Sequence, residues 1–115
     1  MERRGQMGYF YSDLTLFLFF FSGINIDHDD FGGRAFHGPI FLPDGIDPSD
    51  KNGHGTFVAA LAAGSTYGVA KKALIVSLKT LDDAGAGRLS NVLAAIEWVV
   101  KRHLAQGPST RSIIK

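Results

Sequence analysis

Gly53-His54-Gly55-Thr56-Phe57-Val58-Ala59-Ala60-Leu61-Ala62-Ala63-Gly64 is the stretch on which the fold turns. Its alanines favour helix. Small side chains on every face predict burial among close neighbours, and Gly64 is a natural C-terminal stop. Farther along the chain, Leu74 to Leu81 is rich in branched residues and lies between Gly68 and the turn at Asp82 to Gly87, which predicts a strand. Ser90 then precedes a second helix running to about His103, where its hydroxyl is expected to accept from a first-turn amide. Val92, Leu93, Ile96, Val99 and Val100 recur at helical spacing, opposite Glu97, Lys101 and Arg102. Gly107-Pro108 closes that unit, and Ser112-Ile113-Ile114 opens another strand.

Toward the N-terminus, Gly23 to Asn52 reads as loop, punctuated by Gly32-Gly33, Gly38-Pro39, Pro43-Asp44-Gly45 and Asp47-Pro48. Five of the nine phenylalanines precede residue 22, and Leu14 to Phe21 is apolar except for Thr15. A spanning helix needs roughly 20 apolar residues, so this run is no membrane anchor. Three readings stay open: a strand buried on both faces of a parallel sheet, the apolar core of a secretory signal behind Arg3 and Arg4, or a stretch foreign to the rest of the chain. Asp13 abuts the run and Phe20-Phe21-Ser22 makes a poor cleavage site, which weighs against a signal. The order strand, loop, helix, strand, helix, strand predicts an α/β fold, a mainly parallel sheet flanked by helices.

The 115 residues amount to one domain or part of one. Hydrophobic residues at 45% and charged residues at 20% exclude wholesale disorder. Twelve Lys+Arg against eleven Asp+Glu leave a net charge of +1, which creates no field to collect a polyanion; nucleic acid and membrane are not expected partners. The absence of cysteine removes a disulfide scaffold, a thiolate metal site and a cysteine nucleophile.

His54 stands where a helix begins. The positive end of a helix disfavours an imidazolium, and a neutral imidazole can take a proton as a general base. The flanking glycines let another group approach closely. The plainer alternative is a histidine that merely caps the helix. Asp27, His28, Asp29 and Asp30 have the chemistry of metal ligands, but the reading preferred for them is a solvated loop, and no metal or cofactor is expected. His37 and His103 read as surface residues.

Asn52-Gly53-His54-Gly55-Thr56, Tyr67-Gly68-Val69-Ala70 and Leu81-Asp82-Asp83-Ala84-Gly85-Ala86-Gly87 together resemble the subtilisin-like serine proteases, especially the fungal proteinase-K-like branch. Gly23-Ile24-Asn25-Ile26-Asp27-His28 and Phe31-Gly32-Gly33-Arg34-Ala35 look like the segment that follows the catalytic aspartate there. The resemblance runs from Gly23 to Ile114 and implies the N-terminal third of a catalytic domain, hence a partial subtilisin-like fold. It further implies serine endopeptidase chemistry on a peptide or protein substrate, no cofactor, and an extracellular, secreted protein. His54 matches the catalytic histidine. Gly85, Ala86 and Gly87 match the segment that pairs with the substrate backbone as an added strand. Leu81, Leu89 and Val92 match residues lining apolar subsites, with core packing as the alternative for all three. Asn52 sits where the family often has a polar residue beside the histidine.

The family's Asp-Thr-Gly is replaced by Phe21-Ser22-Gly23, and its nucleophilic serine and oxyanion asparagine have no counterpart among these residues. Ser65, Ser77 and Ser90 are read as lying in a loop, a strand and a cap. A histidine without nucleophile, orienting acid or oxyanion donors is expected to be inactive by itself. The alternatives are a non-catalytic peptide-binding pseudo-protease or a gene-model product without function. Residues 1–22 are unlike the family and 23–115 match it; the break at Ser22 and the departure at Lys115 lead to the expectation that both lie in translated intron, with a truncated pseudogene or a genuine short paralogue as the alternatives. A parallel sheet is normally covered on both faces, so this much of one is expected to leave edges and apolar faces that promote aggregation.

Overall fold

The structure, a computed structural model, describes residues 15–42 and 47–115. The turn expected at Pro43-Asp44-Gly45 and the charged residues Arg3 and Arg4 lie outside the described residues. The apolar run forms strand β1, Thr15–Phe20. A single 3-10 turn, Asp29–Phe31, leads to a short β2, Ala35–His37. Helix α1, His54–Ala63, strand β3, Leu74–Ser77, helix α2, Leu89–Ala105, and strand β4, Thr110–Ile114, follow. The strands form one parallel sheet in the order β2-β3-β1-β4. This is an α/β fold with a parallel sheet flanked by helices.

β1 is central, which explains its composition. Leu18 and Phe20 face one layer with Ile24, Phe31, Ala59, Ala63 and Ile75, the side on which α1 packs. Phe19 faces the other with Val76, Leu78, Ala95 and Val99, the side of α2. Side chains alternate along a strand, so a strand covered on both faces is apolar at every position. β1 pairs with β3 from Phe17–Leu74 to Phe20–Ser77 and with β4 from Thr15–Thr110 to Phe19–Ile114.

Several expectations are refined. β2 arises inside the stretch read as loop, because the partners that hold it are remote: Arg34 donates to the carbonyls of Ala73 at 2.9 Å and Ala63 at 2.8 Å. The regular ladder of β3 ends at Ser77, not Leu81. Single backbone bonds continue from Leu78 to Phe20 and from Thr80 to Phe21. α2 starts one residue before Ser90, with Arg88 at the N-cap position and no side-chain cap bond. Its buried stripe is Ala95 and Val99, while Leu93 and Val100 are exposed. α1 is buried only along Gly55, Ala59 and Ala63; Phe57 and Leu61 point to solvent, since the sheet covers one face of the helix.

Asp30 of the acidic cluster accepts from the N–H and hydroxyl of Thr66 at 2.9 and 2.6 Å, which holds its carboxyl below the usual range. Asp27, His28 and Asp29 are exposed. His103 is half-buried, not superficial, and its Nδ1 lies 2.9 Å from the Ser112 hydroxyl. Among the described residues no helix is long and apolar enough to cross a membrane.

Candidate active site

The site is built where α1 begins. Gly53 takes a left-handed φ of 91°, which turns the loop into the helix. Asp50 holds that entry. Its carboxylate accepts the N–H groups of Gly53 at 2.8 Å and Thr56 at 2.9 Å together with the Thr56 hydroxyl. Burial pushes the Asp50 carboxyl up, but the Thr56 and Gly53 bonds outweigh it and leave the group below its ordinary value. Thr56 Oγ1 also accepts the Asn25 N–H at 2.9 Å, tying the helix to the chain after β1. Gly55 is buried, and a Cβ there would overlap the Gly23 carbonyl and the Ser22 hydroxyl. The first turn of α1 is thereby pressed onto the end of β1.

His54 is exposed at that junction. Its backbone N–H donates to Asn52 Oδ1 at 3.2 Å. The residue opens into a cleft of about 390 Å³ lined also by Ser22, Gly23, Asp50, Asn52, Gly55, Lys79, Leu81, Asp82, Asp83 and Gly85. The structure thus brings together His54, Leu81 and Gly85 of the expected residues. Gly87 lies against the Thr80 carbonyl and the Leu81 side chain, where a Cβ would not fit. Leu89 is exposed and Val92 half-buried on the first turns of α2. Leu81, Leu89 and Val92 belong to neither buried cluster.

Asp82 organises the turn. Its carboxylate accepts the Ala84 and Ala86 N–H groups at 3.0 and 2.9 Å. Its carbonyl accepts the Gly85 N–H, and its own N–H donates to the Ala86 carbonyl at 2.8 Å. Both backbone groups of Ala86 are engaged within the turn.

Phe21 packs beside the α2-side cluster. Its carbonyl accepts the N–H and hydroxyl of Thr80 at 3.1 and 2.9 Å. Ser22 lines the His54 cleft, whereas the three serines weighed from the sequence lie outside its lining. Ser65 accepts from Arg34, Ser77 donates to the Ser22 carbonyl at 2.8 Å, and Ser90 is the second residue of α2.

A sequence profile of the subtilase family matches residues 22–113. The chain belongs to the subtilase family. A subtilisin-like protease of Coccidioides posadasii is 47% identical over 93 residues, which cover 81% of this chain and 23% of that protein. Alkaline protease 2 of Aspergillus fumigatus is 48% identical over 83 residues, 72% of this chain and 17% of that one. The crystal structure of a cold adapted subtilisin-like serine proteinase matches with a TM-score of 0.73 and 38% identity, covering 89% of this chain and 36% of the other. The subtilase chain therefore spans 23% or less of the length of these two curated relatives. The structural match is longer than the profile match and reaches ahead of residue 22, into the region of β1.

Three residues that shape this subtilase cleft escaped the sequence reading: Asp50, Lys79 and Asp83. Lys79 was the legible signal, a single cation inside the apolar run Leu74 to Leu81, four residues before Asp83.

Proposed function

We propose that the chain carries the histidine-bearing, substrate-facing part of a subtilisin-like serine endopeptidase and that these 115 residues do not cleave peptides by themselves. The observation that carries this reading is the junction of His54 with Leu81 and Gly85 in one cleft, which Ser22 lines after β1 while Phe21 packs toward the α2 side. A phenyl ring neither orients an imidazole nor stabilises its charged form. The substrate class is peptide or protein, and an extracellular location follows from family kinship alone; assaying culture medium against cell lysate tests the latter. The deciding experiment is casein digestion together with a serine-directed covalent probe. No digestion and no labelling are expected. Labelling, or digestion lost in His54→Ala, defeats the proposal.

A second reading, peptide capture without cleavage, is favoured by the exposed turn that shares the cleft. Because Asp82 occupies both backbone groups of Ala86, capture would run through the glycines on either side. A titration with an extended peptide, compared with Ala86→Arg, tests it: unchanged affinity in the variant counts against this edge.

The division at residue 22 belongs to the same proposal, with 1–22 outside the family sequence and of intron origin. Sequencing the transcript tests it. Mature messages encoding Phe17 to Ser22 would make β1 a native strand of the chain.

A further inference from the structure

We infer that Lys79 is a positioning residue that sets the separation of the two walls of the His54 cleft, and that Asn52 carries this setting to His54. The inference rests on the reading of His54 and the Gly85–Gly87 turn as the two working walls. Lys79 is buried, at 5% exposure. Its Nζ donates to the carbonyls of Ser49 at 2.8 Å and Asp47 at 3.2 Å and pairs with Asp83 Oδ1 at 3.0 Å. An ammonium has three N–H groups, and three oxygens take them. None is left for a ligand in the cleft, so the role of this cation is geometric.

The three oxygens belong to different walls. Asp47 and Ser49 lead into α1, and Asp83 lies on the turn that carries Gly85. A buried cation must keep its partners or bear a large desolvation cost, so it holds both segments to one spacing. The turn is then linked onward. Asn52 Nδ2 donates to the Asp83 carbonyl at 3.0 Å, and Asn52 Oδ1 accepts the His54 N–H at 3.2 Å. Lys79, Asp83, Asn52 and His54 form a continuous bonded path across the cleft, with no contact needed between the lysine and the histidine.

Amide hydrogen exchange, read by mass spectrometry at low micromolar concentration with fragmentation that resolves His54, tests the path in the 115-residue chain. Lys79→Met is expected to speed exchange at His54 by about tenfold, while Ala95 and Val99 on the other face keep their protection. In an Asn52→Ala background, Lys79→Met should add nothing at His54, because the link is already cut. Should Lys79→Met lose the protection of Ala95 and Val99 as well, Asp83→Ala decides. It removes only the turn-side partner of the ammonium and is expected to release His54 in the same way. An unchanged His54 rate in a folded variant, or an equal release with Asn52 already replaced, overturns the inference. Neither cleavage nor peptide binding enters the readout, so its outcome is separate from that of the proposed function.

Discussion

Gly55 packs directly on Ser22: the histidine-bearing helix meets the end of the central strand with no space for a side chain between them. The contact places His54 beside the end of the central strand, next to Phe21 and Ser22. Gly55→Ala should therefore force the helix start away from the strand. Overpacking of this kind costs about 1–3 kcal/mol, which a urea midpoint would record as a clear fall. Unchanged stability would mean that the junction yields easily.

Restoring the acid alone should not restore chemistry. Phe21→Asp places a carboxylate beside the apolar cluster of Phe19, Val76, Leu78 and Val99. The variant is expected to lose about 2–4 kcal/mol and to remain unlabelled by a serine-directed probe. Labelling would show that a hydroxyl of this chain can act as nucleophile.

Acid should loosen the entry to α1. The Asp50 carboxyl sits below its ordinary value in the folded chain, burial being outweighed by its bonds to Thr56 and Gly53. A depressed folded value means that the contribution is complete above the unfolded value, near pH 4, and is lost as pH falls through the folded one. Asp30, held low by Thr66, acts in the same direction. Urea midpoints from pH 7 down to pH 2 should fall below about pH 4. Asp50→Asn should lower the stability at pH 7 by about 1–2 kcal/mol and flatten the acid limb.

The outer edge of the sheet should drive association. Among the described residues β4 pairs only with β1, and it exposes Ile113 and Ile114 at 53% and 39%. Open strand edges with apolar residues recruit further chains. Light scattering should rise with protein concentration, and Ile113→Lys should reduce it. A monodisperse monomer with a sharp melt at high concentration would contradict this.

Much of this protein is legible without coordinates. The helix from His54 to Ala63, its stop at Gly64, the strand from Leu74, the long second helix and the last strand all follow from residue choice within short windows. The motifs around His54 and Gly85 lead to the family. Even the apolar run before Ser22 carries a strand signature, because a strand covered on both faces shows no alternation.

Tertiary structure decides what those windows cannot hold. β2 exists because the backbone of β3, about forty residues on, pairs with it and Ala73 takes a bond from Arg34 just ahead of it. β1 is central because β3 and β4 pair on either side of it. α2 begins without a hydroxyl cap, against the reading of Ser90. The cleft owes its shape to Lys79, whose partners at Asp47 and Ser49 lie some thirty residues back in the chain. Periodicity and propensity are local energies, written in adjacent residues. A buried cation gathering oxygens from separate segments is a long-range energy, and it becomes visible only once the chain has folded them together.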